Sequence, residues 1–200
     1  MNWIKNIAIF LIFVSLLVSC SPTKHLPAND KLYTGATVTV KGPSLSVRTR
    51  KELKEDLTGL TRPKPNSRLL GIPVKLMVYN MFYNAKKGLF KNLKDKFGQP
   101  PVLLSQVDLD ANIKLLQNYT ENKGYFHAKT TGDTVVRRKR ASAKYTVETG
   151  DQYKINSVHF PSDSNALSLA IAQTANHTLL KPGDPFDLEV IRGERTRIDD

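Results

Sequence analysis

The chain has 200 residues, enough for one or two modest domains, and its 40% apolar content is that of a folded body and not of a disordered chain. Thirty Lys and Arg against 18 Asp and Glu give a net charge of +12, which in a cytosolic protein would raise nucleic acid as a partner. The single cysteine, Cys20, excludes an intrachain disulfide and a thiolate-built zinc site.

The opening Met1-Asn2-Trp3-Ile4-Lys5 places one positive charge before an apolar run over 7–18 that only Ser15 interrupts. A bilayer crossing needs about 20 such residues. The shorter run fits the h-region of a secretory signal, which spans roughly 7–15 residues. It ends in Leu17-Val18-Ser19-Cys20, which resembles the lipobox read by lipoprotein signal peptidase. The sulfur of Cys20 would carry a diacylglyceryl group and its freed amine a further acyl chain, and two or more chains anchor firmly where one holds only marginally. The reading is a signal peptide over 1–19 and a linker over 20–30 that starts at lipidated Cys20. The leader takes only Lys5 with it, which lowers the charge from +12 to +11. Export then replaces nucleic acid with lipid headgroups, phosphorylated glycolipid or acidic client proteins as anionic partners. Ser21 follows the cysteine where an acidic residue would mark inner-membrane retention, so an outer-membrane location is expected. With two prolines and no periodicity, 21–30 reads as a spacer between lipid and body.

A strand is predicted from Leu32, with Thr37, Val38, Thr39 and Val40 before the breaker Lys41-Gly42-Pro43. A charged helix over 49–57 places Leu53 and Leu57 on one face and ends at Arg62-Pro63-Lys64-Pro65-Asn66. The stretch 69–96 crowds Leu76, Met77, Val78, Tyr79, Met81, Phe82 and Tyr83 before Lys86, Lys87, Lys91, Lys94 and Lys96. Among those lysines Leu89, Phe90, Leu93 and Phe97 recur at helical spacing. Such a helix can lie in a membrane interface; a helix packed on its own domain with a solvated lysine face is the preferred reading. Ser105-Gln106-Val107-Asp108 resembles a capping box, opening a helix with Leu109, Ile113, Leu116 and Tyr119 on one face and a stop at Gly124. Strands are predicted over 128–136 and 142–149; in the second, Ala143, Tyr145 and Val147 alternate with Lys144, Thr146 and Glu148. Arg137, Arg138, Lys139 and Arg140 form the hairpin tip, as a solvated turn or a headgroup contact.

From Tyr153 the order restarts. A strand over 154–160 carries Ile155, Val158 and Phe160, and a helix over 165–175 carries Leu167, Ala170, Ile171 and Thr174 on one face. A second helix opens at Pro185-Phe186-Asp187, with Asp187 as N-cap and Phe186 placed to staple onto Ile191. Val107-Asp108-Leu109-Asp110 matches Phe186-Asp187-Leu188-Glu189 at an offset of 79 residues, while the first strands align at an offset of 120. The excess of 41 falls where 69–96 lies. A repeated supersecondary unit signals a modular array.

The order strand–helix–helix–strand–strand resembles the polypeptide-transport-associated (POTRA) domain. Gly124-Tyr125-Phe126-His127-Ala128 is similar to that family's turn from second helix to second strand. The stretch Val147-Glu148-Thr149-Gly150-Asp151-Gln152-Tyr153-Lys154-Ile155 resembles its crossing between repeats, and Lys181-Pro182-Gly183-Asp184-Pro185-Phe186-Asp187 its entry to helix two. With the lipobox, the lysine-rich insert and Gln99-Pro100-Pro101-Val102-Leu103, the whole resembles the TamL-type translocation and assembly module lipoproteins of the Bacteroidetes. The resemblance implies an α+β fold of tandem POTRA-like β-α-α-β-β units. The first covers 31–151 with an insert at about 61–104; the second, 152–200, is truncated inside its second helix. It also implies a body in the periplasm, a β-barrel downstream in the full-length protein, and a binding role toward outer-membrane protein clients or an accessory assembly protein. The edge expected to take a partner strand is 128–136, with Ala128, Thr130, Thr134, Val135 and Val136.

No catalytic pattern is present, so no enzyme activity, metal or cofactor is expected. His25, His127, His159 and His177 lack ligand spacing, and Asp108 with Asp110 suits a helix start. Membrane contacts are expected at Lys86, Lys87, Lys91, Lys94, Arg137, Arg138, Lys139 and Arg140. The alternative reading is a structural envelope lipoprotein that bridges membrane and anionic glycolipid through a basic surface.

Overall fold

A computed structural model describes residues 21–161 and 163–199. The signal peptide, the lipidation of Cys20 and Asp200 therefore lie outside the described residues. The fold is α+β. In chain order come β1 (Leu32–Lys41), α1 (Val47–Leu60), α2 (Val74–Met81), α3 (Gly88–Phe97), α4 (Leu109–Asn122), β2 (Lys129–Arg137), β3 (Arg140–Glu148), α5 (Ala166–Gln173) and α6 (Leu188–Asp199). The first seven give strand–helix–helix–strand–strand with α2 and α3 inserted between the two helices of the unit, the POTRA-like order with its helical insert. The sheet order is β1-β3-β2. Leu32 bonds Lys139 at one end and Thr149 bonds Lys41 at the other, so β1 and β3 run parallel. β2 and β3 form a hairpin.

The chain divides into two compact units that alternate along the sequence. Of the described residues, one holds those up to Ala36, Arg62–Asp108 and Thr134–Ala143; the other holds Thr37–Thr61, Leu109–Asp133 and those from Lys144 on. In the first, Leu32, Tyr33, Leu76, Ala141 and Ala143 are buried. The insert is tied at its neck by Asn66, itself buried: its Nδ2 donates to Pro100 O (2.7 Å) and its Oδ1 accepts from Val102 N (2.9 Å). Gln99 Oε1 accepts from both the amide and the hydroxyl of Ser67. Ser105 does not form the expected capping box. It sits in a 3-10 turn (Leu104–Gln106) and its hydroxyl bonds Asp30 Oδ2, so the carboxylate of Asp30, in place of a helix amide, claims it. That bond is the main reason the Asp30 carboxyl titrates below its ordinary range.

In the second unit Val38, Val40, Leu53, Leu57, Leu116, Tyr125, Ala128, Tyr145 and Val147 make the core. The expected alternation holds in β3, where Ala141, Ala143, Tyr145 and Val147 are buried and Lys144 and Glu148 exposed. Ser46 caps α1 by accepting from Thr49 N (3.0 Å), and Leu53 and Leu57 are its buried face. Gly124 ends α4 with φ +87°, and a Cβ there would come within 2.7 Å of Phe186 O.

Two expectations for 152–200 are overturned. The strand over 154–160 does not form; an isolated bridge pairs Lys154 with Pro185, because no other strand in this stretch offers a ladder. α5 leaves Leu167, Ala170 and Thr174 of the predicted face exposed, with Ile171 half-buried, and buries Ser168 instead. Among the described residues 152–200 form no sheet on which Leu167 could pack. Asp187 does cap α6, accepting from Glu189 N (2.9 Å), while Phe186 packs edge-on against Phe126 (4.9 Å).

Candidate functional site

The site is a sheet edge and the surfaces around it. β2 is the last strand on one side of the sheet, and among the described residues no strand or bridge lies beyond it. Thr130 donates its amide to Gln117 Oε1 (3.4 Å) and so points away from β3. At a strand period of two, the amides of Gly132 and Val136 face the same outward side, and that of Val135 faces β3. The predicted edge residues are thus split by role. Ala128 is buried ahead of β2, and Thr130 is buried in it with its Oγ1 lacking a hydrogen-bond partner among the described residues. Thr134 and Val135 are half-buried, and Val136 is exposed. Gly132 was not singled out by sequence reasoning, yet it lets the strand approach its neighbours: an added Cβ would lie 2.9 Å from the Tyr145 ring and 3.1 Å from Ile113 Cδ1.

β1, the other edge, is closed at its start. Tyr33 donates to Val102 O (2.8 Å), Leu104 donates to Lys31 O (2.9 Å), and Leu32 bridges Leu103. Pro65 stands 3.2 Å from where a Gly35 Cβ would be. The flanks of the insert therefore occupy the start of this edge.

The basic candidates fall into two groups. Arg137 closes β2 and Arg140 opens β3, with Arg138 (φ +55°) and Lys139 in the turn, and all four line an open hollow together with Thr23. Lys86, Lys87 and Lys91 are exposed on the insert, and Lys91 pairs with Asp95 (2.6 Å). Lys94 departs from the expected solvated face: its ammonium donates to Ala85 O (3.0 Å) and Tyr83 O (3.4 Å), closing the loop before α3. Helix α3 is not packed as expected, although α2 buries Leu76 and Asn80. α3 has no buried residue, and Leu89, Phe90 and Phe97 are all more than half exposed.

Several polar contacts that sequence reasoning missed hold the second unit together. Tyr119 donates its hydroxyl to Asp56 Oδ2 (2.9 Å), joining α4 to α1; burial, then this bond, push the phenol up to about 12. Beyond β3 Tyr153 N donates to Gly124 O and Phe186 N to Tyr153 O, while Lys123 pairs with Asp187 (2.7 Å). The GYFHA stretch was the available signal for this joint. Among the described residues no group of three or more His, Cys, Asp and Glu is placed to hold a metal, and no helix is long and apolar enough to cross a membrane.

No protein-family model matches the chain, and no curated protein matches it. Among solved structures, the chain is similar to the crystal structure of Haemophilus influenzae BamA POTRA3-5, with a TM-score of 0.39 and 16% sequence identity. That likeness covers 88% of this chain and 56% of the other, so the chain spans little more than half the length of the protein fragment it resembles.

Proposed function

We propose that this chain is the periplasmic N-terminal region of an outer-membrane protein assembly or translocation factor of the TamL type, held to the membrane through lipid on Cys20. Its POTRA-like units, 31–151 and the incomplete 152–200, bind unfolded clients or an accessory assembly protein by strand addition at β2, ahead of a barrel in the full-length protein. The observation that carries this reading is the contrast at the sheet: β1 is closed at its start by Val102–Leu104, and among the described residues no strand or bridge closes β2. Backbone capture on an open edge tolerates many client sequences, as an assembly factor requires, with alternate side chains adding selectivity. Val136 and Thr134 line the edge beside the Arg137–Arg140 tip, which suits acidic clients.

The test is Val136→Pro, which removes an outward amide; Val135→Pro would cut into β3 and unfold the sheet. Photo-crosslinking in membranes is expected to lose client adducts in the Val136→Pro protein while its protease resistance stays intact. Undiminished adducts in that folded variant would sink strand addition at this edge.

A further inference from the structure

The ten residues that read as a spacer are fastened to the body. Asn80, buried on α2, donates Nδ2 to Pro22 O (3.1 Å) and, at 3.4 Å, to Ser21 O. His25 stacks on Tyr83 with ring centres 4.2 Å apart and planes 6° from parallel. Pro22 covers a cavity of about 90 Å³ lined by Leu32, Tyr33 and Leu76. At the far end, Asp30 accepts from Lys31 N and from both the amide and the hydroxyl of Ser105. A free ten-residue tether would span up to roughly 33 Å; this one is bolted at both ends, and the bolt lies on the insert.

The same insert carries an unusual share of exposed apolar surface. Of 18 large apolar side chains exposed among the described residues, nine lie between Leu69 and Phe97, and Leu70 is 95% exposed. Lys86, Lys87 and Lys91 are interleaved with them, and Arg137–Arg140 gather around Thr23 of the fastened segment. Apolar side chains set among lysines and arginines are what an interfacial segment offers to acyl chains and anionic headgroups.

We infer that the insert is the seat on which the protein rests on the anionic bilayer that holds the acyl chains of Cys20, with Leu70, Leu89 and Phe90 entering the headgroup layer. The inference rests on the lipid-anchor reading above. One residue separates Cys20 from the Pro22 contact, so the lipid emerges at the insert and the body is oriented against the membrane instead of swinging from it. Strand capture at β2 would then occur at a fixed height above the bilayer.

The test uses the full lipidated chain in vesicles of phosphatidylethanolamine and phosphatidylglycerol. Single Leu70→Cys, Phe90→Cys and Leu167→Cys variants are labelled with an environment-sensitive fluorophore, the thioether at Cys20 being unreactive. Mass spectrometry of the N-terminal peptide reports the lipid. The labels at 70 and 90 are expected to shift blue and lose roughly half their emission to lipid-borne quencher, and the label at 167 to be unaffected. Labels at 70 and 90 that match 167, on a protein whose Cys20 is acylated, would overturn the seat and leave the anchor standing. Labels shielded from aqueous iodide but not quenched by lipid would mean that protein covers the patch, which also overturns it. A Cys20 without lipid removes the anchor, and the seat with it.

Discussion

The two edges of the one sheet have been treated differently. β1 meets Val102–Leu104 and Pro65 at its start, and these residues are in place because Asn66 clamps both strands of the insert's neck. β2 has an outward amide at Thr130 held by a single glutamine side chain, and its further end carries an exposed valine before a run of cations. An open edge invites pairing with any extended chain. Closing one edge with an insertion and leaving the other is how a small sheet restricts that pairing to one side. The insertion thus works twice, as an edge cover and as the carrier of the exposed apolar surface.

The closed start of β1 depends most on Asn66. Asn66→Ala leaves Pro100 O and Val102 N unpaired in a buried neck, a loss of about 2–4 kcal/mol in all, and it should open β1, read as faster amide exchange at Tyr33 and Leu104. Acid acts elsewhere and should spare both edges. Glu194 is buried, accepts from Arg197 and from Leu179 N, and titrates at about 2 because of the Arg197 bond above all. Its folded value lies below its unfolded one, so its stabilisation is present above about 4.5 and is lost as pH falls toward 2. That contribution is on the order of 3 kcal/mol. Exchange at Leu179 should rise through this window while β1 and β2 amides hold.

Gly132→Ala sharpens the comparison from the β2 side. The added methyl meets Tyr145 and Ile113, and overpacking of this kind costs about 1–3 kcal/mol. Thermal unfolding should fall accordingly, with client adducts reduced because β2 is displaced. The smallest effect is expected at Thr130→Val. The hydroxyl is buried without a partner, so its isosteric removal should be neutral or stabilise by up to about 1 kcal/mol. A melting temperature lowered by several degrees would show that Thr130 Oγ1 has a role in the sheet.

The first repeat was legible because its signals are local. β3 alternates at period two, Leu53 and Leu57 are spaced for one helix face, and Gly124 stops a helix in the left-handed conformation that glycine favours. Each was read within about three residues of where the element stands. The stretch 152–200 was misread where a strand needed a partner: Ile155, Val158 and Phe160 have strand character, but a strand is made by its neighbour's backbone groups, and among the described residues of this stretch the one bridge is Lys154 with Pro185. β2 stands within a residue of the predicted strand, but which of its residues face outward depended on Gln117, a helix residue 13 positions from Thr130. The fastening of 21–30 was hidden for the same reason. Asn80 and Ser105 are far along the chain, and nothing in Pro22 or Asp30 announces them.

Residue-resolved amide exchange on the lipidated chain, with and without an unfolded outer-membrane protein segment, tests the central claim most directly. Strand addition at β2 predicts new protection at the outward amides of Gly132 and Val136, no change at Val135, which already faces β3, and none at Tyr33 on the closed edge. Protection spread evenly over odd and even positions of β2, or appearing at β1, would contradict it.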